Sequence, residues 1–215
     1  MIDRDMQKLD EFIQRYPLRK FDKDQILLVQ DERPRDIFYV KTGFIKGYDI
    51  NVDGIEQHIW LGAKSDIIPY EWLFSAVDST QLFYSAFTEL EVYVVNRQEL
   101  IEFFSKNPDV LLHVAHDLAI KLSELTEKLT ATEKPKASEK IVYMLNILAK
   151  RFGDENEAGD KTQITVPLTQ QDIANLLGLT RETVATELKK LKDKGYVYYD
   201  KWQFVVHTDK ISELM

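Results

Sequence analysis

Short runs of β-branched and aromatic residues recur along the first half of the chain, and turn residues separate them. Such runs predict β-strands, and the five clearest cover residues 26–29, 37–40, 44–50, 58–61 and 90–95. Residues 51–54, Asn-Val-Asp-Gly, predict a hairpin turn between the third and fourth runs. Strands this short and evenly spaced are typical of a β-roll or jelly roll.

A helical period marks three other segments. Residues 6–16 predict a small packing helix, and a long helix is predicted between Pro108 in its first turn and the next breaker, Pro135. Residues 137–152 predict another helix, with Ile141, Met144, Leu145 and Leu148 on one face. Residues 133–136, between these two helices, are the predicted hinge, and residues 153–161 are predicted to form a polar, acidic loop.

The long helix carries a heptad pattern, with steps of four and three residues between successive positions. The positions are Leu111, Ala115, Leu118, Leu122, Leu125 and Leu129. A stripe this narrow predicts pairing with the same helix of a second chain, and hence a homodimer. The alternative is that the stripe packs against the β-roll of its own chain.

Residues 168–206 predict two short helices joined by a tight turn, followed by a β-hairpin. Thr169 is placed to cap the first helix, Gly178 to end it, and Thr180 to cap the second. The apolar faces of the helices are formed by Ile173, Leu176 and Leu177 and by Val184, Leu188 and Leu191. Asp200 and Lys201 are predicted to turn the hairpin, which would be the wing of a winged helix. A helix-turn-helix that binds DNA fits this pattern, and a plain pair of packed helices is the alternative.

The second of these helices displays side chains that can read DNA. Arg181 can bond bidentately to guanine, Glu182 can accept a hydrogen bond from cytosine, and Thr183 can contact a phosphate or a thymine methyl group. The lysines that follow can contact phosphates, and the alternative for them is an ordinary solvated helix face. The predicted DNA-binding set is Thr169, Gln170, Thr180, Arg181, Glu182, Thr183, Thr186, Lys189 and Lys190.

These residues carry a family resemblance. The segment 169–197 resembles the helix-turn-helix of the CRP/FNR family of bacterial transcription factors, and Thr-Arg-Glu-Thr-Val at 180–184 is similar to that family's Ser-Arg-Glu-Thr-Val signature. By this resemblance Arg181 and Glu182 are the base-reading pair. Thr186 stands where the family often has a second arginine, so the family's operator sequence is not carried over.

The resemblance extends more weakly over almost the whole chain and implies an α+β fold. It implies a β-roll (jelly-roll, cyclic-nucleotide-binding-like) sensor domain over 1–107, a long dimerisation helix over 108–134 and a winged helix-turn-helix over 135–215. The implied partners are double-stranded DNA with a roughly palindromic operator, a second copy of the chain, RNA polymerase and a small-molecule effector that is not identified.

Composition narrows these expectations. The chain has 215 residues and a net charge of −8, yet residues 181–201 hold 6 basic against 4 acidic side chains, which gives a modest basic patch where DNA contact is expected. The chain has no cysteine, which removes thiol catalysis, thiolate metal sites and an iron–sulfur sensor. No membrane span, signal peptide, metal site or cofactor is expected, and a cytoplasmic protein is the simplest interpretation.

The sensor region lacks the groups that bind a cyclic phosphate. Relatives that bind cyclic nucleotides use a glycine, a glutamate and an arginine there, but Pro69 and Tyr70 stand near the glycine position and no arginine occurs between Arg35 and Arg97. We therefore expect no response to cyclic AMP. The candidate pocket for an apolar or aromatic effector is Tyr70, Glu71, Trp72, Phe83 and Tyr84. The alternatives are that these side chains are ordinary core, and that the roll is a vestigial sensor without a ligand.

Three classes of function fit the chain to different degrees. A dimeric, sequence-specific transcription regulator fits all the features above. A small-molecule-binding module whose helix-turn-helix contacts proteins fits fewer of them, and it would bind a metabolite but retard no DNA. An enzyme fits least, because no catalytic triad, phosphate loop or metal-ligand spacing is found.

Overall fold

The computed structural model describes residues 2–156, 159–212 and 214. The chain divides into two compact units, residues 1–50 with 58–121 (unit 1) and residues 51–57 with 122–215 (unit 2). The long helix α4 (Pro108–Thr132) contributes to both, because the division falls after Lys121. None of the helices in the described part of the chain is long and apolar enough to cross a membrane.

Eight strands between residues 18 and 95 form two four-stranded sheets, in the orders β1-β8-β3-β6 and β2-β7-β4-β5. They are β1 (Leu18–Phe21), β2 (Ile26–Leu28), β3 (Ile37–Thr42), β4 (Ile45–Ile50), β5 (Glu56–Gly62), β6 (Ile67–Ile68), β7 (Phe83–Ala86) and β8 (Leu90–Val95). Each of the five predicted runs lies in a strand with at most one residue outside it, and the β-roll prediction is confirmed. The sequence analysis missed β1, β6 and β7, which are too short or too polar to show a strand pattern.

The strand β3 explains why two hydrophobic cores form around one sheet. Its side chains point alternately to the two faces of the sheet. Phe38 and Val40 enter the core between the two sheets, the inner core, while Ile37 and Tyr39 enter a second core on the outer face, the outer core. Helices cover that outer face through residues such as Leu9 and Phe104. A strand buried on both faces reads as a continuous apolar run rather than as an alternating one.

Gly43 makes a turn that no other residue fits. Its φ is +88°, and a Cβ atom there would lie 2.2 Å from the carbonyl oxygen of Glu89. We expect Gly43→Ala to lower the free energy of unfolding by at least ~2 kcal/mol, because backbone strain and a backbone clash add. Gly54→Ala is the matched control: its φ is +77° but no atom lies within 4 Å, so only about 1 kcal/mol of strain is expected. Equal losses in urea unfolding would contradict this prediction.

The helices of unit 1 differ from the predictions at two places. The helix α1 (Ile2–Ile13) begins four residues before the predicted Met6. It ends three residues before the predicted Tyr16, because Pro17 keeps Tyr16 out of helical conformation. The helix α3 (Arg97–Lys106) was not predicted, and Asn96 caps it by accepting a hydrogen bond from the Glu99 amide at 3.2 Å. A single helical turn, α2 (Tyr70–Leu73), follows β6.

Unit 2 contains the predicted helix α5 (Ala137–Phe152), whose four predicted apolar side chains are all buried. Its remaining elements are β9 (Gly153–Glu155), β10 (Lys161–Ile164), α6 (Gln170–Leu177), α7 (Arg181–Asp193), β11 (Val197–Asp200), β12 (Gln203–His207) and α8 (Thr208–Ser212). The strands form one sheet in the order β11-β12-β10-β9. The predicted loop at 153–161 was wrong at both ends, because β9 and β10 pair there; an edge strand can be polar, so its composition resembles a loop.

Candidate functional site

The helix-turn-helix is built as its caps predict. The Thr169 hydroxyl accepts a hydrogen bond from the Asp172 amide at 3.1 Å, and the Asp172 carboxylate accepts one from the Thr169 amide at 2.7 Å, which completes a capping box. Gly178 ends α6 with a φ of 63°. The Thr180 hydroxyl accepts a hydrogen bond from the Thr183 amide at 3.2 Å and caps α7. The two helices pack through the predicted apolar faces, which are all buried.

The opposite face of α7 is exposed and carries the predicted DNA-reading side chains. Arg181, Glu182 and Lys189 are exposed, and within the described part of the chain their side chains make no hydrogen bond or ion pair. Arg181 and Glu182 occupy the first turn of α7, where a recognition helix approaches the base edges. Thirteen residues make α7 about 20 Å long, which suits the major groove.

Five other members of the predicted set make contacts inside unit 2. Thr169 and Thr180 use their hydroxyls as caps, and the Thr186 hydroxyl donates to the Glu182 carbonyl at 2.9 Å. Lys190 forms an ion pair with Glu187 at 2.6 Å. The Thr183 hydroxyl also contacts that of Thr180, at 2.9 Å, and Gln170 is half-buried. Arg181, Glu182 and Lys189 are therefore the members whose polar groups are most open to a nucleic acid.

The hairpin of β11 and β12 lies beside α7. Lys192 joins them: its amino group donates to the Tyr199 carbonyl at 3.4 Å and lies 4.9 Å from the ring centres of Tyr198 and Tyr199. The turn consists of Lys201 and Trp202, one residue later than predicted, and Lys201 has a φ of 50°. Trp202 and Tyr198 are large and exposed. Lys192 is one of the lysines predicted to contact phosphate or to lie on a solvated face, and in the structure it connects α7 to the hairpin.

The heptad positions of α4 separate into two groups. Leu111 and Leu118 are half-buried against the outer core of unit 1, as the alternative interpretation expects. Leu122 and Leu129 are 67% and 62% exposed, and Ala115 and Leu125 are also exposed. Leu112 is 72% exposed and was not in the predicted stripe. The exposed face follows a heptad in which every second position is shifted by one residue: Leu112, Ala115, Ala119, Leu122, Thr126 and Leu129.

The five residues of the predicted effector pocket make different contacts in the described part of the chain. The Tyr84 hydroxyl donates to a Glu71 carboxylate oxygen at 3.1 Å, and burial together with that carboxylate raises the pKa of Tyr84. Phe83 stacks on Tyr48 at 5.4 Å between ring centres. Trp72 is buried in the outer core, where the Arg97 side chain donates to its carbonyl at 3.0 Å.

Tyr70, the fifth residue, belongs to a polar network that the sequence analysis missed. Its hydroxyl donates to the Asp117 carboxylate at 2.8 Å, and Lys121, which also contacts Asp117, pairs with buried Asp66 at 2.7 Å. Burial, reinforced by the charges of Asp117 and Asp66, raises the pKa of Tyr70. The sequence pattern that could have predicted this network is a polar face of α4 at helical spacing, formed by His113, His116, Asp117 and Lys121. In the described ranges no three His, Cys, Asp or Glu side chains are placed to hold a metal ion.

Two family models match the chain. A cyclic nucleotide-binding domain matches residues 18–107, and a Crp-like helix-turn-helix domain matches residues 139–210. The first match covers the strands β1 to β8 and the helix α3, and the second covers most of unit 2, including the capped pair α6 and α7. The β-roll domain and the helix-turn-helix domain are therefore each matched by a separate family model.

Whole-chain relatives agree with the domain matches. The chain is 24% identical over 193 residues to Electron transport regulator A of Shewanella oneidensis, covering 90% of this chain and 75% of that protein. It is 25% identical over 189 residues to the cAMP-activated global transcriptional regulator CRP of Salmonella typhimurium, covering 88% and 89%. Among solved structures, FixK2 from Bradyrhizobium japonicum has a TM-score of 0.77 at 22% identity, with 93% of this chain and 96% of that chain covered. The α+β fold with a β-roll, long helix and C-terminal helix-turn-helix is that of these regulators.

Proposed function

Because the chain belongs to the CRP/FNR family of DNA-binding transcription regulators, we propose that it acts as a homodimer on a roughly palindromic operator. The open Arg181, Glu182 and Lys189 side chains on the capped helix α7 are the single observation that carries this proposal. A two-fold dimer presents two such helices, and these would read half-sites about one helical turn apart.

Selection from random duplexes tests the proposal directly. The purified full-length protein should enrich a motif with two-fold symmetry whose half-sites are centred ~10–10.5 base pairs apart, or a multiple of that. Enrichment of a single, asymmetric half-site would contradict the dimer. Binding of a metabolite without retardation of any selected DNA would favour the alternative, a small-molecule-binding module.

The exposed heptad of α4 supports the homodimer. It presents Leu112 in unit 1 and Leu122 and Leu129 in unit 2, and all three are mostly exposed. Leucines that face water add no stability to a single chain. A parallel copy of the same helix would bury all of them. We place the dimerisation helix at 108–134, with the sensor-like domain before it at 1–107 and the DNA-binding domain after it at 135–215.

We also propose that cyclic nucleotides do not control this protein, although the cAMP-activated relative shares the fold. Glu71, the candidate ribose partner, is held by the Tyr84 hydroxyl, and the rings of Trp60 and Tyr84 meet at 6.5 Å between centres in the inner core. Residues 36–96 contain no arginine that could pair with a phosphate. A buried cyclic phosphate would keep its desolvation cost without a bidentate partner.

Calorimetry with cyclic AMP and cyclic GMP is the measurement for this prediction. At ~1 mM nucleotide, a concentration that saturates a site with a micromolar Kd, we expect no saturable heat. Tyr84→Phe, which releases the Glu71 carboxylate and keeps the ring, is the control and should also show none. Micromolar binding that Glu71→Ala abolishes would contradict the prediction.

RNA polymerase and a small-molecule effector are further proposed partners, and the protein is proposed to be a regulator rather than an enzyme.

A further inference from the structure

Unit 1 contains a cavity of about 190 Å³ outside the β-roll interior. It lies between α1, the turn from β5 to β6, α2 and the unit 1 part of α4. Its apolar wall is formed by Met6, Leu9, Ile67 and Val114, of which the last three are almost fully buried. At ~30 Å³ for each water molecule, the space equals about six waters, which is enough for a small ring with one polar substituent.

The acidic groups at this cavity are already engaged. One Asp66 oxygen pairs with Lys121 at 2.7 Å, and the other accepts a hydrogen bond from the Ala63 amide at 2.6 Å. Asp117 accepts from the Tyr70 hydroxyl and from Lys121. A cationic ligand would have to displace these partners. The two carboxylates are therefore not open to bind a ligand.

The open polar groups at the cavity are nitrogen donors. Lys64 and His116 line it and are exposed, and among the described residues neither makes a hydrogen bond or ion pair. They complement an anion. The lining holds no arginine, so a bidentate fork for a phosphate is absent from it, and a singly charged carboxylate is the better match.

We propose that this cavity, the α1–α4 cavity, binds a small carboxylate with an apolar body, its charge toward Lys64 and His116 and its body against Met6 and Ile120. This site lies away from Glu71 and Tyr84 and differs from the pocket predicted from the sequence, with which it shares only Tyr70. The inference goes beyond the proposed function and does not depend on it, because the binding is measured on the protein without DNA.

Benzoate is the probe, titrated into the full-length protein and followed by amide shifts in a nitrogen–proton NMR spectrum. We expect saturable shifts at Ser65, His113 and Asp117, which line the cavity, with a Kd on the order of 1 mM, as befits a fragment of this size. Benzamide keeps the ring without the charge, and acetate keeps the charge without the ring. Each should bind at least about fivefold more weakly, since each loses one half of the recognition.

Two variants locate the contact. Lys64→Met should weaken benzoate about three- to fivefold, the range expected for an exposed ion pair, whereas Lys23→Met, an exposed lysine of unit 1 outside the cavity lining, should change nothing. Ile120→Trp places a large ring at the partly exposed rim and should abolish the shifts without disturbing the core.

Four results would overturn the proposal. They are no saturable shift at 20-fold the expected Kd, equal affinity for benzoate and benzamide, equal losses in Lys64→Met and Lys23→Met, and shifts centred on Tyr84 and Ser85 of β7. The last result would place the ligand in the roll instead of the α1–α4 cavity. The first would identify the cavity as a packing space only.

Discussion

Replacing Arg181 with alanine is expected to weaken binding to the selected operator by ~1–3 kcal/mol and to relax the preference at one base pair. The loss belongs to the interface, because Arg181 is exposed in the first turn of α7 and its side chain makes no hydrogen bond or ion pair with the described residues. A cation at a helix N-terminus also opposes the helix dipole, so alanine there should not destabilise the fold. Equilibrium binding to the operator and to a duplex altered at each position measures both effects.

Lys189→Ala is the matched control for Arg181→Ala, since Lys189 is exposed two turns further along the same helix. If it contacts phosphate, it should weaken all sequences to a similar degree and reduce the slope of affinity against salt by about one. Arg181→Ala should instead act mainly on the specific site. Equal losses of specific and random DNA in Arg181→Ala would show that another residue reads the bases.

The double substitution Leu122→Glu with Leu129→Glu is expected to convert the proposed dimer into monomers and to abolish specific DNA binding. Both side chains are mostly exposed in the single chain, so glutamates there should leave the monomer folded. In a parallel pair of helices the four carboxylates would be buried without partners, which costs several kcal/mol. Sedimentation equilibrium gives the mass, and circular dichroism confirms that the helices persist.

Val52→Glu is the control for this surface, because Val52 is fully exposed in the turn between β4 and β5 and lies off α4. It should stay dimeric. Single variants then test the heptad register: Leu112→Glu should dissociate the dimer at unchanged stability, while Leu111→Glu should lower the stability of unit 1, where Leu111 packs against the outer core. A double variant that sediments as a dimer would show that α4 does not form the interface.

The features that the sequence predicted best are those set by neighbouring residues. The capping box of Thr169 and Asp172, the left-handed Gly178 and the cap at Thr180 each involve residues within three or four positions of one another. Local hydrogen bonds and steric limits decide such features, so their spacing in the sequence was sufficient. The apolar faces of α5, α6 and α7 were predicted for the same reason, because a helical period is itself local.

The heptad of α4 shows where a pattern stops being sufficient. Leu111 and Leu112 are adjacent, and either can begin an apolar stripe that includes Ala115, Leu122 and Leu129. Which of the two turns inward depends on the position of the outer core, which is assembled from β3, β8, α1 and α3. That choice is tertiary, and the structure directs Leu111 toward the core and Leu112 toward solvent.

The sequence by itself determined the positions of five strands, the helices α4 to α7, the caps of the helix-turn-helix and the lack of an arginine in the sensor region, because each depends on residue identity and short spacing. The tertiary structure decided which polar groups stay open and which are engaged. It bonded Glu71 to Tyr84 and brought Asp66 to Lys121 across 55 positions of the chain. Contacts between distant segments form only when packing brings those segments together, and no local pattern encodes which partners will meet.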